Sequence, residues 1–75
     1  MYQEDEVIKK LGARIKQLRI KAGYTSHEKF ALDIEIGRSL YWSYEQGANM
    51  NFLTLIKIIN FHNITLEEFF EKGFE

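Results

Sequence analysis

Apolar residues recur every three or four positions along almost the whole chain, and no proline interrupts them. This spacing places the apolar side chains on one face of a helix, whereas a half-buried strand needs strict alternation. A proline inside a helix removes a backbone hydrogen bond, so its absence leaves each apolar stretch free to remain helical. The pattern predicts an all-α fold, a compact bundle of five helices without a strand.

Turn-forming and capping residues separate the first two predicted helices. Gly23 ends the first helix because glycine adopts the left-handed conformation easily. Thr25 and Glu28 have the spacing of a capping box that opens the second helix, with Ser26 as a competing cap. The apolar stripe expected to bury the first helix consists of Val7, Ile8, Leu11, Ile15, Leu18 and Ala22.

The remaining helix boundaries follow similar signals. Residues 35–37 interrupt the second helix, the third runs from Arg38 to Gly47, and Asn51 is a plausible cap for the fourth. Asn63 closes that helix, and a second capping box at 65–68 opens the fifth. The residues predicted to face the core from these helices are Phe30, Ala31, Ile34, Leu40, Tyr41, Tyr44, Phe52, Leu55, Ile56, Ile59, Leu66, Phe69 and Phe70.

Length and composition exclude several classes of protein. A chain of 75 residues without cysteine forms one domain, predicted over 1–75, and has neither disulfides nor thiolate metal ligands. The two histidines, His27 and His62, are too few and too far apart to predict a zinc site. The acidic start is unlike a signal peptide, and no apolar run is long enough to span a membrane. We therefore expect a cytoplasmic protein without metal or other cofactor.

Charge is distributed unevenly although the net charge is only −1. Residues 1–6 carry −3, residues 7–47 carry +4 and residues 48–75 carry −2. A basic central block between acidic ends is typical of a surface that binds an acidic partner. It fits equally well with lysines and arginines that only solvate a long first helix.

The segment 26–47 has the pattern of a helix-turn-helix, two short helices joined by a turn of three or four residues that contains glycine. Ala31 supplies the small residue where the helices touch, and Ile36 supplies an apolar residue that anchors the turn. Tyr41 and Tyr44 are spaced to fix the inner face of the third helix. The residues left on its outer face are Arg38, Ser39, Trp42 and Ser43.

With these residues in register, the chain resembles the phage-repressor and Cro-type helix-turn-helix family of bacterial and phage DNA-binding regulators, from about residue 11 to residue 70. The segments that carry the resemblance are Leu18-Arg19, Ala22-Gly23, Phe30-Ala31, Ile36, Arg38-Ser39, Tyr44-Glu45-Gln46-Gly47, Leu55 to Ile58 and Ile64 to Phe70. The resemblance implies a transcriptional regulator that places its third helix in the major groove, as a homodimer on a two-fold operator.

The resemblance also implies roles for individual residues. Arg38, Ser39 and Ser43 would read base edges, and Trp42 would stack on sugar or bases, contact a thymine methyl or pack in a dimer. The residues implied to contact or support phosphate are Ser26, His27, Gly37 and Gln46, together with the backbone around Gly47. Arg19 and Glu45 would form a structural ion pair. Dimerisation is expected to use part of the C-terminal aromatic set, Phe61, Phe69, Phe70 and Phe74.

The chain departs from the family pattern at several positions. His27 stands where glutamine is usual, Gly37 replaces a serine or threonine cap, and Ala48 and Asn49 stand where basic residues are frequent. Fewer basic residues predict weaker binding with a shallower salt dependence. No nucleophile motif, phosphate-binding glycine loop or metal spacing is present, so no catalytic residue is predicted and an enzyme is not expected. The alternative is a protein-interaction module, such as an antitoxin or adaptor, that binds through Trp42.

Overall fold

The computed structural model describes residues 1–75 and contains five α-helices and no strand, which confirms the predicted all-α class. The helices are α1 (Glu4–Lys21), α2 (His27–Ile34), α3 (Arg38–Glu45), α4 (Phe52–Phe61) and α5 (Leu66–Phe70). None of them is both long enough and apolar enough to cross a membrane.

Local signals set most of the helix ends. Gly23, with φ of 95°, lies in the left-handed region just after α1, as predicted. At the start of α2 the cap is Ser26, whose hydroxyl accepts a hydrogen bond of 3.3 Å from the backbone N–H of Lys29. The predicted Thr25–Glu28 capping box is wrong, because α2 begins at His27 and Thr25 lies one residue too early to cap it.

The later caps agree with the sequence. Asn51 accepts a hydrogen bond of 2.8 Å from the backbone N–H of Thr54 at the start of α4. Thr65 and Glu68 form a reciprocal capping box at the start of α5, with both hydrogen bonds at 3.0 Å. Asn63, with φ of 55°, takes the left-handed conformation that separates these two helices.

One hydrophobic core joins all five helices, and its most deeply buried side chains are Ile15, Phe30, Tyr41, Ile58 and Phe69. Five residues predicted to be buried are exposed instead: Ala22, Leu40 at 53%, Phe52 at 61%, Leu66 at 40% and Phe70 at 41%. For Leu66 and Phe70 the physical reason is the shortness of α5. A five-residue helix such as α5 makes fewer than two turns, so it directs one large side chain, Phe69, into the core.

A buried arginine connects α1 to the C-terminal end of α5. The Nε of Arg14 donates to the carbonyl oxygen of Phe69 at 2.7 Å, and its Nη2 donates to that of Glu68 at 2.9 Å. Its Nη1 donates to Gln17 at 2.8 Å, and the guanidinium lies 5.5 Å from the centre of the Phe69 ring. The last carbonyls of a helix lack partners within that helix, and a cation there also offsets the helix dipole. Arg14 therefore completes α5.

A glycine allows α1 to lie directly against the C-terminal end of α3. A Cβ atom built on Gly12 would lie 2.7 Å from the carbonyl oxygens of both Tyr44 and Glu45. Glycine inside a helix costs about 1 kcal/mol relative to alanine. At this position the lower helix propensity is accompanied by close contact between α1 and α3. The contact fixes the position of α3.

Candidate nucleic-acid interface

The turn between α2 and α3 spans residues 35–37 and is held by backbone and side-chain contacts. Glu35 takes a left-handed conformation with φ of 62°, and the N–H of Ile36 donates to the carbonyl oxygen of Ala31 at 3.0 Å. Ile36 packs against the core, and Lys57 of α4 donates to the Glu35 carbonyl oxygen at 3.3 Å. These contacts fix the angle at which α3 leaves α2.

The inner face of α3 is anchored by two tyrosines. Tyr41 is fully buried and Tyr44 nearly so, and the Tyr41 ring lies 4.9 Å from that of Phe30 on α2. Ala31 is fully buried as well, as expected for a small residue between the two helices. The spacing of these residues determines which side chains of α3 face outward.

The predicted base-reading residues lie together on the opposite side of α3. Arg38 and Ser39 are exposed, Trp42 is 47% exposed and Ser43 is half-buried. Together with two residues at the start of α2 they line a surface depression of about 510 Å³, which we call the α2–α3 depression; its lining residues are His27, Glu28, Arg38, Ser39, Trp42 and Ser43. The structure therefore brings all four candidates onto one open surface.

Arg38 is the free cation of this surface. It forms no ion pair, and its guanidinium makes no hydrogen bond within the protein. Ser43 differs, because its hydroxyl donates to the carbonyl oxygen of Leu40 at 2.6 Å and keeps only its acceptor sites for a ligand. The Trp42 ring lies 6.3 Å from that of His27, which places an aromatic pair beside Arg38. The depression thus offers a free donor, two hydroxyls and an aromatic surface.

Glu28 is the one acidic residue in the depression, and sequence reasoning missed its position by assigning it to a capping box. Its own backbone N–H and the Ser26 hydroxyl, which donates at 3.0 Å, lower the pKa of the Glu28 carboxyl, as does the nearby His27. Its Oε1 lies 3.5 Å from Nδ1 of His27. The depression therefore carries a carboxylate beside Arg38 at neutral pH.

The other residues predicted to meet phosphate differ in availability. His27 is half-buried and lines the depression, whereas the Ser26 hydroxyl is occupied by its contacts with Lys29 and Glu28. Gly37 caps α3 without a side-chain acceptor. The Gln46 side chain is exposed.

The backbone amides after α3 are engaged within the protein. The N–H of Gln46 donates to the carbonyl oxygens of Trp42 and Ser43, and that of Gly47 donates to Tyr44 at 3.2 Å. The structure therefore leaves the Gln46 side chain, and not these backbone amides, for an external anion. Lys9 on α1, which no sequence motif marks as a site residue, also lies beside this segment: its Cγ is 3.4 Å from the position of a Cβ built on Gly47.

At the C-terminal ends of α1 and α3, Arg19 and Glu45 form the ion pair that the resemblance implied. The Nε of Arg19 donates to Oε2 of Glu45 at 2.7 Å and its Nη2 to Oε1 at 3.2 Å, while its Nη1 donates to the carbonyl oxygen of Tyr24 at 2.8 Å. The hydrogen bond with Glu45 raises the pKa of the Arg19 guanidinium. Burial, with the nearby Glu45 carboxylate, raises the pKa of the Tyr41 phenol, whose buried oxygen has no hydrogen-bond partner.

Comparison with known proteins adds no relative. Neither the family models, nor the curated proteins, nor the solved structures contain a match to this chain.

Proposed function

We propose that the protein is a sequence-specific DNA-binding regulator of transcription, of the phage-repressor and Cro-type helix-turn-helix kind, that inserts α3 into the major groove. The observation that carries this proposal is the division of α3 into two faces. Tyr41 and Tyr44 hold one face in the core, while Arg38, Ser39 and Trp42 project from the other. An eight-residue helix is about 12 Å long, comparable to the width of the major groove.

Each outward side chain has a chemical role in this proposal. Arg38, free of protein partners, donates two hydrogen bonds to O6 and N7 of a guanine. Ser39 is a less selective reader because a hydroxyl both donates and accepts, and Ser43 contributes its acceptor sites. Trp42 contacts a thymine methyl or a sugar. His27, Gln46 and Lys9 supply the phosphate contacts that position the helix without reading sequence.

A single short helix contacts only a few base pairs, so useful affinity requires two copies on a two-fold operator. We therefore propose a homodimer on double-stranded DNA, acting in the cytoplasm. The small number of phosphate-contacting cations predicts a modest dependence of affinity on salt.

The test is selection of bound sites from a random pool of duplex DNA, followed by affinity measurements on the selected site. We expect a symmetric pair of half-sites. Arg38→Ala should weaken binding by about 1–3 kcal/mol and relax the preference at one base position. Lys72→Ala, which removes an exposed cation outside the depression, is the matched control and should bind normally. Failure to enrich any site, or an unchanged affinity in Arg38→Ala, contradicts the proposal.

A second candidate function rests on the exposure of Trp42, because tryptophan is enriched at protein–protein hot spots. In that case the depression binds a protein, as an antitoxin or adaptor does. Trp42→Ala and Arg38→Ala separate the two candidates. An adaptor loses affinity for its protein partner in Trp42→Ala. Its affinity for DNA does not change in Arg38→Ala.

A further inference from the structure

A second apolar surface lies where the start of α1 meets the chain that follows α5. It is a groove of about 620 Å³, which we call the α1–α5 groove, lined by Tyr2, Glu4, Val7, Lys10, Phe70 and Phe74. It shares no residue with the α2–α3 depression. Four of its six lining residues are apolar or aromatic, so it has a different chemical character from the polar depression.

The aromatic wall of the groove is held in place from behind. The rings of Phe70 and Phe74 lie 4.9 Å apart, and Phe70 lies 4.9 Å from the buried ring of Phe69. Arg14 in turn fixes Phe69 and the end of α5. Even so, Phe70 remains 41% exposed and Tyr2 77% exposed. A clustered apolar surface that is already ordered loses little conformational entropy on binding and marks an interaction site.

The charged residues of the groove can pair with those of the same groove on a second copy of the chain. Glu4 and Lys10 both line it and lie on either side of Val7 along α1, about 9 Å apart along the helix axis. A two-fold axis near Val7 that pairs two α1 helices in antiparallel fashion places Glu4 of one copy opposite Lys10 of the other, twice over. Such an interface is isologous, because the same patch serves both subunits.

We propose that the α1–α5 groove is the surface through which two copies of the chain form a dimer, with the two-fold axis near Val7. This surface would join the two DNA-binding subunits of the proposed regulator. The biological role of the dimer rests on the proposed function, whereas the contact itself does not. A second copy supplies both opposite charges and a second aromatic wall at once. An anionic lipid surface fits less well, because residues 4–6 are all acidic.

Charge reversal provides the sharpest test, with sedimentation of the full chain from micromolar to millimolar concentration. Glu4→Lys and Lys10→Glu each replace two attractions by two repulsions, so each should raise the dimer dissociation constant roughly tenfold. The double variant Glu4→Lys/Lys10→Glu restores both pairs with reversed sign and should dimerise like the original chain. An equimolar mixture of the two single variants should form heterodimers for the same reason.

The apolar contribution is tested with a matched pair of phenylalanine substitutions. Phe70→Ser should abolish the dimer, whereas Phe52→Ser removes a more exposed ring outside the groove and should leave it intact. Circular dichroism establishes that each variant is folded. A monomer at every concentration, equal effects of the two serine variants, or a double charge variant that stays monomeric overturns the inference.

These outcomes are separable from those of the proposed function. A chain that binds its selected DNA site but does not dimerise through the groove refutes the interface alone. A groove-dependent dimer without affinity for DNA refutes the regulator and leaves the interface standing.

Discussion

Arg19 and Glu45 form a two-point ion pair that joins the C-terminal end of α1 to that of α3, and their side chains are only 6% and 3% exposed. Two charges removed from water in this way depend on each other, since either one alone would be buried without compensation. The pair therefore orients the end of α3. Its attraction need not exceed the cost of removing both charges from water, so it need not raise the free energy of unfolding.

Removing one member of this pair should be far more harmful than removing both. We expect Glu45→Ala to lower the free energy of unfolding by about 3–5 kcal/mol, because it leaves the Arg19 guanidinium buried and unpaired. The double variant Arg19→Met/Glu45→Leu should recover much of that loss. Urea denaturation followed by circular dichroism measures both. If Glu45→Ala costs no more than an exposed ion pair does, the pair has been assigned the wrong role.

Arg14 should act through its hydrogen bonds to the end of α5. Arg14→Met keeps the apolar stem but leaves the carbonyl oxygens of Glu68 and Phe69 without their donor, at a cost of about 1–3 kcal/mol. Arg14→Lys keeps the charge but not the planar set of donors, so it should restore only part of the loss. Lys16→Met, on an exposed position of α1, is the control and should change little. Equal effects of the two methionine variants would argue against this role.

Gly12 and Gly37 should respond differently to substitution by alanine. Gly12→Ala places a methyl group 2.7 Å from two carbonyl oxygens, and the strain should outweigh the gain in helix propensity, for a net loss of about 1–3 kcal/mol. At Gly37 an added Cβ meets nothing within 4 Å and φ is −52°. Gly37→Ala should therefore be neutral or stabilising in thermal unfolding. A stabilised Gly12→Ala would mean that α1 and α3 are not in close contact.

His62 should make the fold sensitive to acid. Its ring stacks on Phe30 at 5.3 Å, its Nε2 is buried without a partner, and burial together with the charge of Arg14 lowers the pKa of its imidazole. The unfolded chain takes up a proton at the ordinary pKa of about 6.5, before the folded protein does. Stability should therefore fall as the pH drops below that value, and level off below the folded-state pKa.

The comparison with His62→Phe isolates this effect from the titration of carboxylates, since the phenylalanine keeps the stacking on Phe30. The free energy of unfolding of the original chain, relative to that of the variant, should fall as the pH drops from neutral to mildly acidic. Parallel pH profiles for the original chain and the variant would show that His62 is not responsible.

Glu28 should oppose DNA binding through its charge. Its carboxylate lines the α2–α3 depression, where it would repel phosphates, so Glu28→Gln should tighten binding several-fold on any DNA sequence. The folded state should be unaffected because Ser26 still caps α2. A variant that instead loses preference at a single base pair would assign Glu28 to cytosine recognition, in place of general repulsion.

The ends of the helices could largely be predicted from the sequence because capping residues lie close in sequence to the groups that they cap. Ser26, Asn51 and Thr65 each lie within three residues of the N–H group that they cap. The error at Thr25 arose because two adjacent residues have capping side chains, and only the tertiary position of α2 selects between them. The outward face of α3 followed from the spacing of its two tyrosines.

Long-range contacts were not predictable in the same way. Arg14 and its acceptor on Phe69 are 55 positions apart, and the need for Gly12 arises from a different helix. Helical periodicity also indicates which residues share a face but not how much core is available to cover them. That is why Phe52 and Phe70 were wrongly assigned to the interior.

The exposed side chains of Arg38 and Ser39 take no part in holding α3, whose position depends on its tyrosines, on Glu45 and on the close approach at Gly12. The fold therefore does not depend on which residues occupy positions 38 and 39. A combinatorial library randomised at those two sites should yield members that fold as well as the parent while differing in what they recognise, which makes the scaffold suitable for retargeting.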